Sequence, residues 1–180
     1  MRPPKVTSSE VVYESRWLRV REDRLLRADG TPGLYSVVEK RPAALIVPLH
    51  DDGDVTLVEQ YRHPVGGRFW ELPQGALDGG GEPTPEQIAR TELAEETGLR
   101  AGALEHLSRM HFAYGISDQY FDAWLATGLT QGAQDLEAEE EGLRVGRFPL
   151  GEAEEMVRAG TISDAATVAA LGLLRLRGVS

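Results

Sequence analysis

Between residues 11 and 28 apolar side chains recur close to every second position: Val11 and Tyr13, then Trp17, Leu18 and Val20, then Leu25 and Leu26. A period of two places alternate side chains on one face of an extended chain, so this stretch predicts half-buried β-structure. It stops at Asp29-Gly30, a strong turn signal, and Leu34 to Val38 reads as the returning strand. Ala43 to Leu49 is apolar without alternation, as in a strand covered on both faces. Asp51-Asp52-Gly53-Asp54 then turns the chain, and Val55 to Tyr61 reads as the hairpin partner of that run. From Pro64 to Gly81 glycine dominates, interrupted by Phe69-Trp70-Glu71-Leu72. Pro83 and Pro85 suit the entry and first turn of a helix, and Gly98 suits its C-cap. Strands are predicted near 104–113, 119–127 and 143–148, with an acidic loop at 135–141, and helices near 151–159 and 164–176. No repeat is evident. Mixed strands with few helices predict an α/β sandwich at residues 41–180, with residues 1–40 as a separate antiparallel β layer.

Composition narrows the function classes. The 180 residues suffice for one domain with a real core plus small additions, and 41% hydrophobic and 27% charged residues are ordinary globular values. No apolar run approaches a membrane span, and Met-Arg-Pro-Pro-Lys has no apolar stretch behind it, so a secretory signal is not expected. A cytoplasmic protein is the default expectation. The absence of cysteine excludes disulfides, thiolate metal sites and cysteine nucleophiles. A net charge of −10 speaks against binding phosphate backbones. Small phosphorylated ligands stay open, because a bound metal can neutralise their charge.

The acids gather at 82–96 and 135–141, and that clustering says more than their sum. On a helix, Glu92, Glu95 and Glu96 fall within roughly 100° of one another, while Ala89 and Leu93 take the neighbouring, core-facing stripe. Like charges at this spacing destabilise a helix by roughly 0.2–0.5 kcal/mol per pair. A hard divalent cation with oxygen ligands would offset that repulsion, and a plain solvated acidic face is the alternative. The surroundings favour the cation: Trp70-Glu71-Leu72-Pro73-Gln74-Gly75 leads into the helix, and an uninterrupted Glu-Glu-Thr-Gly-Leu closes it.

In these residues the sequence resembles the Nudix hydrolase family. Its signature runs Gly, five residues, Glu, seven residues, Arg-Glu, an aliphatic, any residue, Glu-Glu, any residue, Gly, an aliphatic. Gly75, Glu82, Glu92, Leu93, Glu95, Glu96, Gly98 and Leu99 supply most of it. Gln60-Tyr61-Arg62, the Trp-Glu-Leu-Pro-Gln-Gly stretch and the β extension resemble the ADP-ribose and nucleotide-sugar pyrophosphatase branch, and likeness covers about residues 10–176. Two departures stand out. Six residues separate Gly75 from Glu82, and Glu82 to Glu92 is one residue longer than the pattern, which leaves Thr91 where the family has arginine. Position 91 lies ~40° from Glu95 on an ideal helix, whereas Arg90 lies ~140° away and suits a pair with Glu86.

The resemblance implies an α/β/α sandwich with a mixed sheet, and magnesium-dependent hydrolysis of the diphosphate bond of a nucleoside-diphosphate sugar such as ADP-ribose, with manganese as the alternative metal. It implies Glu92, Glu95 and Glu96 as metal ligands and catalytic residues, aided by the Gln74 carbonyl, with Glu82 a weaker candidate. It places a general base in the later acidic loop among Glu139, Glu140 and Glu141, with Glu140 first. Arg62 and Glu71 fall on the substrate side, and Trp17 and Tyr35 at places where related enzymes stack the base. As lone aromatics those two would more often be core or dimer contacts. The implied partner set is a small nucleotide and a second copy of the chain, with no nucleic acid and no membrane. His50, His63, His106 and His111 have no ligand-like spacing and read as structural, and Asp118 reads as a cap. Rival readings are a Nudix hydrolase of a nucleoside triphosphate or dinucleotide polyphosphate, and a catalytically weak binding module, which Thr91 favours. An isopentenyl diphosphate type isomerase is disfavoured because related enzymes use a cysteine.

Overall fold

A computed structural model describes residues 2–76, 83–136 and 140–179 and divides the chain into two compact units. One comprises Met1–Pro42 with His111–Tyr120, the other Ala43–Met110 with Phe121–Ser180.

In the first unit, β1 (Lys5–Glu14), β2 (Arg19–Leu26) and β3 (Pro32–Glu39) form an antiparallel sheet in that order. Asp29-Gly30 makes the β2–β3 turn: Gly30 takes a φ of 82°, open mainly to glycine, and the Asp29 carboxylate accepts from the Thr31 N–H at 3.0 Å. The expected alternation of burial does not hold along β1, where every residue is exposed, Val11 and Tyr13 included. Charge pairs lace the sheet instead, with Glu39 holding both Arg19 and Arg21. Residues 111–120 pair with the end of β3, and the Asp118 carboxylate accepts from the Lys40 N–H at 3.3 Å, a capping role.

The second unit is built around β4 (Ala43–Pro48), whose six residues are all buried. Its alternate side chains enter different cores, which is why the run shows no alternation in sequence. Ala44 and Ile46 pack with Ala89 and Leu93 of helix α1 (Pro85–Thr97). Leu45 and Val47 pack with Val55 and Leu57, and with Ala153 and Leu171 of the two C-terminal helices α2 (Leu150–Arg158) and α3 (Ala165–Leu176). Both edges of β4 are occupied: β7 (Gln74–Gly75) lies antiparallel on one side and β10 (Tyr120–Thr127) parallel on the other, with β9 (Ala103–His111) beyond it. So β5 (Asp54–Arg62) is not the hairpin partner of β4, as its sequence suggested. The two share only an isolated bridge, Leu49–Val55. β5 crosses to a second sheet between β6 (Gly67–Glu71) and β12 (Arg144–Pro149). A two-residue pair, β8 (Leu99–Arg100) with β11 (Thr130–Gln131), follows α1. The mixed α/β sandwich expected from sequence is therefore present. Among the described residues no helix is long and apolar enough to cross a membrane.

Candidate active site

Helix α1 is fixed at both ends. Thr84 accepts from the Gln87 N–H at 3.2 Å while the Gln87 side chain accepts from the Thr84 N–H at 2.7 Å, a reciprocal capping box. Gly98 closes the helix at a φ of 73°, its N–H donating to the Ala94 carbonyl. With Ala89 and Leu93 in the core, the i, i+4 pair Glu92 and Glu96 is drawn inside, and both are buried. Glu95 lies one position round the helix and is half-buried.

Carboxylate oxygens of Glu92, Glu96 and Glu140 lie within 4.8 Å of one another. Glu140 comes from a turn just before β12, closed by the Leu143 N–H donating to the Glu140 carbonyl at 2.9 Å and anchored by the buried Leu143 side chain. Burial pushes the Glu96 carboxyl well above its usual range, and the charges of Glu92 and Glu140 push it further; a hydrogen bond from the Gln74 N–H at 3.0 Å works the other way. Gly75 completes the floor, because a Cβ at that position would overlap the Glu92 carboxylate. Three carboxylates converging in a buried place fit a divalent cation: oxygens at ~2.1 Å from magnesium lie up to about 4.2 Å apart, so small side-chain movements close the shell.

A second network holds Gln74 in place. Arg62, at the end of β5, forks onto the Glu71 carboxylate at the end of β6. Glu71 is almost wholly buried, and burial raises its carboxyl even against the opposing charge of Arg62. The Gln74 amide reaches Glu71 at 3.4 Å and Asp164 at 3.3 Å. Asp164 caps α3 through the Thr167 N–H at 2.8 Å, and the Thr167 hydroxyl accepts from the Leu72 N–H at 2.9 Å. The stretch Glu71 to Gln74 is thus braced from β5 and from α3, and its Gln74 N–H meets Glu96.

A comparison with protein families matches residues 39–171 to the NUDIX domain and residues 4–38 to the nucleoside diphosphate sugar hydrolase N-terminal domain. The chain belongs to the Nudix family. Among curated relatives, the ADP-ribose pyrophosphatase of Mycobacterium tuberculosis is 37% identical over 174 residues, covering 96% of this chain and 83% of that protein. The methanol dehydrogenase activator of Bacillus methanolicus is 27% identical over 175 residues, covering 96% and 93%. A crystal structure of an ADP compounds hydrolase superposes with a TM-score of 0.86 at 26% identity, covering 99% of this chain and 96% of that one. Nudix hydrolases generally use divalent metal ions, which accords with the glutamate cluster.

The remaining candidates from sequence are distributed as follows. The Nudix helix carries Thr91 half-buried, and Arg90 does not turn back toward the glutamates; it pairs with Glu86 at 2.8 Å and donates to the Ala101 carbonyl. Arg62 and Glu71, both expected on substrate, are joined to each other. Trp17 and Tyr35 belong to the other unit. Trp17 is about half-exposed beneath the Arg16 guanidinium, and the Tyr35 hydroxyl donates to the Gly115 carbonyl. Glu141 is exposed, while Glu82 and Glu139 lie outside the described residues. Asp164 and Thr167 were not singled out from sequence. Asp164 carries a helix-start signal, but nothing local ties it to Gln74, 90 residues earlier.

Proposed function

We propose that this Nudix hydrolase cleaves the diphosphate bond of a nucleoside-diphosphate sugar, with ADP-ribose the first candidate, giving a nucleoside monophosphate and a sugar phosphate. The observation that carries the reading is the convergence of Glu92, Glu96 and Glu140 on one buried point. Magnesium, or manganese in its place, would be held by Glu92 and Glu96 with help from Glu95 and the Gln74 carbonyl, and would neutralise phosphate charge and acidify a bound water. Glu140, on a turn rather than on the helix, takes the proton of the attacking water. The water oxygen bonds to phosphorus, the bridging P–O bond breaks, and the bridging oxygen leaves with the other phosphoryl group.

Arg62 engages the diphosphate with N–H groups not directed at Glu71, and Glu71 keeps its guanidinium in one orientation. Residues 1–40 serve as the substrate and dimer layer, with Trp17 and Tyr35 offered to the base, and residues 41–180 as the hydrolase domain. The exposed edge strand β1, carrying Val6, Val11, Val12 and Tyr13, supports a homodimer, since such an edge invites pairing. The reaction is placed in the cytoplasm, without nucleic acid or membrane. Thr91 favours a second reading, a catalytically weak ligand-binding module of the same fold.

A panel of nucleoside-diphosphate sugars and nucleoside polyphosphates, assayed with magnesium and with chelator, separates the two. We expect metal-dependent release of a nucleoside monophosphate from ADP-ribose or a related sugar. Cleavage of polyphosphates alone, or binding without turnover, contradicts the proposal.

A further inference from the structure

We infer that Arg68 is a positioning residue that sets Glu140 in place; this rests on the reading of Glu140 as the base. Glu140 is followed by Glu141 and Gly142, which takes a φ of 80°, before Leu143 turns inward. Arg68 on β6 reaches this turn from the side. Its Nη2 donates to the Gly142 carbonyl at 2.6 Å and to the Glu59 carbonyl at 3.1 Å, and its Nε donates to the Glu59 carboxylate at 3.0 Å. The same carboxylate receives Arg144 at 3.3 Å, and Arg144 stands opposite Glu59 in the β5–β12 ladder. One rigid guanidinium therefore spans three acceptors on two segments, which lysine's single ammonium does not reproduce. The turn bearing Glu140 is tied to the sheet at Gly142 and again at Arg144.

Arg68 is partly exposed, so its ion pair adds little to global stability. Its effect falls on geometry. A base must stay within hydrogen-bond reach of its proton, and a misplacement of ~1 Å can cost about 100-fold in rate.

The test is a kinetic cycle of Arg68→Ala and Glu140→Gln, with thermal melts as the fold check and Arg68→Lys as the second variant where Arg68→Ala does not fold. We expect Arg68→Ala to lower kcat at least ~10-fold while KM changes less than ~2-fold, and Arg68→Lys to recover only part of the loss. In a chain already carrying Glu140→Gln, removing Arg68 is expected to change kcat less than ~2-fold, because the group it serves is gone. An unchanged kcat in Arg68→Ala beside an inactive Glu140→Gln overturns the positioning role alone. An equal loss in both backgrounds also overturns it, since Arg68 would then act elsewhere. A fully active Glu140→Gln instead removes the base assignment, and the inference with it.

Discussion

Glu96 concentrates the tension of the site. It is a carboxylate with almost no contact with water, held beside two others and receiving the Gln74 N–H. In the metal-free protein that arrangement opposes folding, because burial and like charge both penalise the ionised form. Glutamine at this position keeps the shape and the acceptor for the Gln74 N–H while removing the charge. We therefore expect Glu96→Gln to melt higher than the native chain in chelator at neutral pH, by about 2–4 °C for each kcal/mol of repulsion relieved. Addition of magnesium should narrow or reverse the difference. A lower melting temperature in chelator would mean that Glu96 stabilises the fold rather than straining it. At this scale the sequence was informative where geometry is local. Glu92 and Glu96 share a face because they are four residues apart on a helix. The proximity of Glu140 has no local signature and came from family resemblance. The ties among Glu71, Gln74, Asp164 and Thr167 join residues too far apart in sequence to show a pattern.

Among the elements, α1 was legible from end to end, since Pro85, the Ala89/Leu93 stripe and Gly98 are each local signals of start, core face and stop. Pairing between strands was less so. Ala43 to Leu49 reads as a buried strand, yet nothing in it says which neighbours fill its two edges, and the short turn at Asp51–Asp54 wrongly suggested β5. The exposure of β1 escaped for a related reason, because alternation marks a strand but not what lies against it. Between β9 and β10, buried Asp122 receives Arg109 at 2.9 Å and His106 at 2.9 Å. Burial works to raise its carboxyl, and these bonds outweigh it, so its folded pKa lies below the usual value. A depressed acid contributes stability above its unfolded pKa and loses it as pH falls through the folded value. The stability gap between the native chain and Asp122→Asn should hence shrink as pH falls below about 4. Denaturant melts across that range check this, and a gap that persists into strong acid would contradict it.

For the whole molecule, the acidic balance and the buried glutamates belong together. A net charge of −10 discourages polyanions in general, while the carboxylates provide a local place where a divalent cation can meet one small polyanion. Strain at such a site is the familiar cost of function: the variant expected to melt higher without metal is also the one expected to lose activity. Turnover of ADP-ribose by Glu96→Gln at saturating magnesium is the most direct check. We expect kcat to fall at least ~100-fold in a protein that remains folded. A rate equal to that of the native chain would show that the glutamate cluster of α1 is not where the diphosphate is cleaved.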